Sequence, residues 1–350
     1  MKRVLIAVLT LSLLFAIGCG KKEEPVVEPV ETPEASSVES SVEESNTETV
    51  ESEVEPAETE VVDTHPLFED RRPIAIMINN HPEAQPQAGW SHAKIAYEIL
   101  VEGRITRVLL VSDAETGVIG PIRSARPAFL EITAEYRALY SHVGNYDKVV
   151  APSPMLNYMV DWDEFSHPGY YRSGHRYAPH NLYGTMEGVY ASAEASGVDL
   201  TGAPELKDHF QVYDEAKEYE GGSPATSISF TYDGAQQLNY RYDPDSQMYI
   251  KSINGIDVID ENTGELLKIA NFIILERPHG KMPNGVHEYI DYLTPGNARL
   301  FIQGQEFALD YSKPASEQPM VFELDGEQLI LNPGFTFINV VPDGTPITVQ

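Results

Sequence analysis

The chain's 350 residues hold 54 Asp and Glu against 24 Lys and Arg, a formal net charge of −30. That length accommodates two ordinary domains, and the negative charge sets the chain against nucleic acid as a partner. Cys19 is the single cysteine, so no intramolecular disulfide can form and an exported fold has to rest on its apolar core.

Lys2 and Arg3 precede an apolar run over residues 4–17. The run is too short to span a bilayer comfortably and reads as a signal peptide over residues 1–18. It ends in Ala16-Ile17-Gly18-Cys19, which resembles a bacterial lipobox. The resemblance implies cleavage before Cys19 and a lipid on that residue, hence a membrane partner through a lipid anchor on the extracytoplasmic face. Residues 19–66 form the next segment. Residues 20–66 contain 14 Glu and one Asp against two Lys, among Val, Pro, Ser and Thr. With no apolar face to bury, this stretch is expected to be a disordered acidic linker.

Residues 67–218 are expected to form a mixed α/β domain, a sheet flanked by helices. Ile74-Ala75-Ile76-Met77-Ile78 is apolar at every position, the pattern of a strand covered on both faces. Residues 95–101 read as a helix that gives out at Gly103, and residues 107–111 as a second apolar strand. Pro127 suits a first helical turn, and Phe129, Ile132, Thr133, Tyr136 and Tyr140 recur at helical spacing. That puts Arg123 and Arg126 at a helix start, with Ser124 as a candidate N-cap. Residues 139–143 suit a third strand, and residues 154–160 and 186–195 two helices. Over residues 219–350, short runs rich in Val, Ile, Phe and Tyr are separated by turn pairs such as Asn254-Gly255 and Pro333-Gly334. This predicts a β-rich, mainly antiparallel C-terminal domain, with a hairpin about Pro244-Asp245. The expected fold class is α+β.

Several stretches together resemble the YerB-like lipoprotein family. They are Arg72-Pro73-Ile74-Ala75-Ile76-Met77-Ile78-Asn79-Asn80-His81-Pro82, Tyr97-Glu98 through Glu102-Gly103, Ile105-Thr106-Arg107, the loop Gly120-Pro121-Ile122-Arg123-Ser124-Ala125-Arg126-Pro127, Ala178-Pro179-His180-Asn181-Leu182-Tyr183, and Leu331-Asn332-Pro333-Gly334. The resemblance covers residues 70–345 and implies the same layout of signal, acidic linker, α/β domain and β-rich domain. It implies no activity, since the family has none established. Arg104 departs from the pattern, standing where Gly is expected.

Candidate chemistry gathers in four places. Arg107, Arg123, Ser124 and Arg126 offer guanidinium forks for a phosphate or carboxylate, or else partners for carboxylates of this acidic chain. Asn79 and His81 follow the first strand, Asp113 the second, His142 and Asn145 the third. If those strands are parallel, their carboxyl ends converge where open α/β sheets take ligands; otherwise these residues cap strand ends. Glu98 and Glu102, four apart, would share a helical face. They read as an acid/base pair, or as ion-pair partners of Arg107, Arg123 or Arg126. Arg172, Arg176, His180 and Asn181 alternate with tyrosines, which suits a sugar or an anionic polymer, or a solvated loop.

No His-Glu-x-x-His pattern or cysteine pair occurs, and no phosphate or dinucleotide loop, so neither metal nor cofactor is expected. The residues point first to a lipid-anchored protein binding an anionic or sugar ligand of the cell envelope. The alternatives are a hydrolase of envelope glycan or phosphodiester using Glu98, Glu102 or His81, and a scaffold for a protein partner.

Overall fold

A computed structural model describes residues 63–232, 234 and 236–350. The signal segment, Cys19 and nearly all of the acidic linker lie outside the described residues. Among the described residues, no helix is long and apolar enough to cross a membrane.

A twelve-stranded sheet organises the molecule. From one edge its strands are residues 327–328, 321–324, 305–312, 296–302, 271–277, 336–342, 95–101, 105–112, 74–79, 139–142 and 160–163, with 223–224 beside 305–312. Successive side chains of Ile74–Asn79 point to opposite faces, and both faces are covered. Ala75 and Met77 enter one apolar cluster, while Ile74, Ile76 and Ile78 enter the other. That is why the strand is apolar at every position. The C-terminal part is β-rich. It supplies the middle strand Thr336–Pro342, which runs parallel to both Asn271–Arg277 and Ile95–Val101. A second, antiparallel sheet contains Ser227–Phe230, Leu238–Asp243 and Met248–Ile253, with the expected hairpin closing at Asp243 opposite Met248.

Several local readings change. Residues 95–101 are a strand, not a helix. A seven-residue run of Ile, Tyr and Val fits either period, and its length and β-branched content favour the strand that its neighbours can pair. The helix after the arginine loop is short: a 3-10 turn, Pro127–Phe129, leads into α1, Leu130–Glu135. Arg126 is the residue that precedes the turn, and Ser124 caps nothing. Tyr140 belongs to the next strand, Leu139–His142. Residues 154–160 form a 3-10 turn, Pro154–Asn157, and then enter the strand Val160–Asp163. Met186–Ala195 is helical, α2. Thr64–Pro66, assigned to the linker by composition, pairs with Gln211–Tyr213.

Candidate functional site: an arginine cluster beside a histidine pair

Sheet register decides which candidates meet. Ile74–Asn79 and Leu139–His142 are parallel neighbours, so Asn79 and His142 leave the sheet at the same end. Ile105–Ser112 is antiparallel to Ile74–Asn79, with Asn79 opposite Arg107 and Ile74 opposite Ser112. Arg107 therefore arrives at the Asn79 end. Asp113 emerges at the other end, where Lys94 holds it at 2.7 Å. Convergence of Asp113 with Asn79 and His142 is thus ruled out by strand direction.

The arginine loop is stitched across that end. Ile122 bridges to Ile78, Arg123 N–H donates to the Met77 carbonyl at 2.8 Å, and Val143 N–H donates to the Arg123 carbonyl at 3.1 Å. Gly120 lets the loop in: at φ 147° a Cβ there would lie 2.7 Å from the Tyr183 ring and 3.0 Å from the Leu182 carbonyl.

Two guanidinium groups share one carboxylate, and a third, Arg123, stands near them. Arg126 grips Glu102 with a two-point fork, one arm being Nε to Oε2 at 2.6 Å. Arg107 Nη2 lies 3.6 Å from the same carboxylate, and its Nη1 donates to the Ser124 carbonyl. Burial raises the Glu102 carboxyl, but Arg126, then Arg107, outweigh it and hold the group at about 2. Burial, then repulsion from Arg126, pulls Arg107 down to about 9, still charged at neutral pH. Arg123 is also lowered by burial and then by Arg126. Its Nη1 makes one long contact, 3.5 Å to the Pro179 carbonyl, and its buried Nε has no partner among the described residues.

Two histidines stand next to Arg123. Asn79 Oδ1 accepts from His81 N–H at 3.1 Å, and Asn79 Nδ2 donates to His180 Nδ1 at 2.8 Å. The rings of His81 and His180 are 4.8 Å apart, and His180 Nε2 lies 3.2 Å from Glu83 Oε2. Burial, then His81, then Arg123, lower the His180 pKa.

Comparison with known proteins fits this architecture. A family profile described as the N-terminal domain of a protein of unknown function, DUF3048, matches residues 59–199, and the DUF3048 C-terminal domain matches residues 228–338. YerB of Bacillus subtilis (strain 168), named a lipoprotein, is 31% identical over 279 residues, 78% of this chain and 82% of that protein. The chain belongs to the YerB-like DUF3048 family. The crystal structure of B. subtilis YerB superposes with a TM-score of 0.67 at 27% identity, covering 80% of this chain and 94% of that one.

In this DUF3048 chain the other sequence candidates have structural employment. Glu98 is fully buried in its strand, where it accepts from Asn80 at 2.9 Å and Thr106 at 2.6 Å and pairs with Lys251. Glu98 and Glu102 therefore do not share a helical face. One is sealed from solvent, and the other is gripped by Arg126, which lowers its carboxyl pKa. His142 is buried and bonded to Asp161 at 2.8 Å. Asn145 donates to the Ala125 carbonyl at 3.4 Å. Arg176 clamps the backbone of residues 83–86, donating to the Glu83, Gln85 and Pro86 carbonyls, and also reaches Glu261. Arg172 spans Asn181 Oδ1 at 3.3 Å and Glu164 at 3.4 Å.

A cleft of about 870 Å³ lies elsewhere, lined by Trp90, Lys94, Asp260 and Phe335 among others. Two of its charges are met internally: Lys94 by Asp113, and Asp260 by the Ser91 N–H at 2.7 Å.

Sequence reasoning missed Glu83 and His287. Glu83 sits two residues after His81 and carries no motif. His287 comes from the C-terminal half, and its pKa is lowered by burial and then by Arg126, which places it beside the cluster. Only the folded chain brings it there.

Proposed function

We propose that the chain is a lipid-anchored extracytoplasmic protein that binds an oxyanion, phosphate or carboxylate, carried by a cell-envelope polymer. The anchor reading rests on Lys2, Arg3, the apolar run, Cys19 and similarity to a protein named a lipoprotein. The ligand reading rests on one observation: Arg107 and Arg126 already share the single carboxylate of Glu102, and Arg123 beside them keeps a buried Nε without a partner among the described residues. A buried unsatisfied donor next to uncompensated positive charge favours an arriving oxyanion, and a guanidinium fork matches its geometry.

The test is co-sedimentation of the full chain with purified cell wall, before and after chemical removal of phosphate and with carboxylates left free or amidated. Arg123→Ala is expected to weaken binding by about tenfold or more, the scale of a lost charge-assisted hydrogen bond. Arg123→Lys should recover part of it, because Lys lacks the fork. Wall binding that is unchanged in Arg123→Ala would end this reading.

A further inference from the structure

His81, Glu83 and His180 each bring one possible ligand atom within 4.8 Å of the others, which at first sight is a metal site. The hydrogen bonds around the rings argue for something else. A backbone N–H can only donate. Glu83 N–H points at His81 Nδ1 at 3.2 Å, so that nitrogen is an acceptor. His81 N–H points at Asn79 Oδ1, which fixes the Asn79 amide and turns its Nδ2 donor onto His180 Nδ1. That nitrogen is an acceptor as well. Each neutral ring therefore carries its proton on Nε2. A cation needs a lone pair at Nε2 and a proton at Nδ1, the reverse of what both rings are built to hold. A neutral His180 Nε2–H near the Arg123 charge, with the neutral His81 ring 4.8 Å away, instead describes a seat for an oxyanion.

Glu83 already places an oxyanion there. We infer that the Glu83 carboxylate is the resident occupant of the histidine end of this site, lying 3.2 Å from His180 Nε2 until the ligand's oxyanion displaces it. The inference rests on the proposed function above and adds a competing internal anion to it. The side chain is suited to leaving: it is 74% exposed and held by this contact at 3.2 Å, and exposed pairs of this kind are weak. The backbone at Glu83 is suited to staying. Its N–H is held by His81 and its carbonyl by Arg176 Nη1 at 3.1 Å. The carboxylate can therefore swing into solvent without moving the turn Pro82–Ala84. The lowered His180 pKa agrees with a ring kept neutral at pH 7.

The experiment titrates inorganic phosphate, and separately glucuronate, into the full chain and its Glu83→Ala, Glu83→Gln and Arg123→Ala variants. Histidine tautomers are read by long-range ¹⁵N–¹H correlation, with Zn²⁺ added in a parallel series. Both Glu83 variants are expected to bind the oxyanion about two- to fivefold more tightly, and Arg123→Ala more weakly, with both rings in the Nε2–H form. Unchanged affinity in the Glu83 variants, with Arg123→Ala still weakened, overturns the resident-carboxylate inference and leaves the binding site standing. No response to either oxyanion in any variant overturns the site and the inference together. Zn²⁺ binding that removes the Nε2–H signals overturns the inference in favour of a metal centre.

Discussion

Glu102 shows how one residue's environment sets its chemistry. Its carboxyl is held at about 2 against an ordinary 4.5, because the Arg126 fork and the Arg107 charge exceed the cost of burial. The folded value lies below the unfolded one, so this stabilisation is complete above about pH 4.5 and is lost as the pH falls toward 2. It amounts to about 2–3 kcal/mol, partial exposure reducing it toward the lower figure. Urea unfolding from pH 6 down to pH 2 should therefore show the wild type losing its advantage over Glu102→Gln across that window. Parallel curves would contradict this account. Arg104, two residues on, adopts φ 61°, and Gly103 before it φ 78°. The family's expected Gly falls where the backbone enters the left-handed region, which Gly occupies at least cost.

At the scale of elements, the strand Ile95–Val101 is tied to the second sheet by a buried charge pair. Glu98 meets Lys251 of Met248–Ile253, and both side chains are at most 1% exposed. Asn339 Nδ2 reaches the same carboxylate at 3.3 Å and accepts, through its Oδ1, from Tyr240 at 2.6 Å. Burial lowers the Lys251 pKa and Glu98 raises it again. Removing one partner leaves an uncompensated buried charge, so Lys251→Met or Glu98→Leu alone should cost about 3–5 kcal/mol in chemical denaturation. The double variant is expected to recover most of that loss. Additive costs in the double variant would mean that the pair is not coupled.

At the scale of the whole molecule, the order of strands matters more than their number. The last long strand in the chain, Thr336–Pro342, inserts between Asn271–Arg277 and Ile95–Val101. A fragment of residues 67–218 would lose the parallel neighbour of Ile95–Val101 and expose a buried apolar edge, a template for aggregation. Such a fragment is expected to elute in the void volume on size exclusion and to melt without cooperativity. A monodisperse, cooperatively melting fragment would show that the shared sheet is dispensable. His287, from the C-terminal half, also lies within electrostatic range of Arg126 and Glu102.

Composition and local pattern were enough for the broad layout. The uniformly apolar run 74–78 signalled a strand buried on both faces, the turn pairs after residue 219 signalled a β-rich region, and the residues around Gly120 singled out Arg123 and Arg126. These features are written in short windows, where side-chain period and turn chemistry speak directly. What local pattern could not carry was direction and register. The antiparallel run of Ile105–Ser112 brought Arg107 to Asn79 and sent Asp113 away. Pairing with Thr336–Pro342 turned a predicted helix into a strand and sealed Glu98 against Lys251. Strand pairing and ion pairing act between residues from about thirty to more than two hundred positions apart, so the tertiary structure alone decided which charged groups were consumed by the core and which were not.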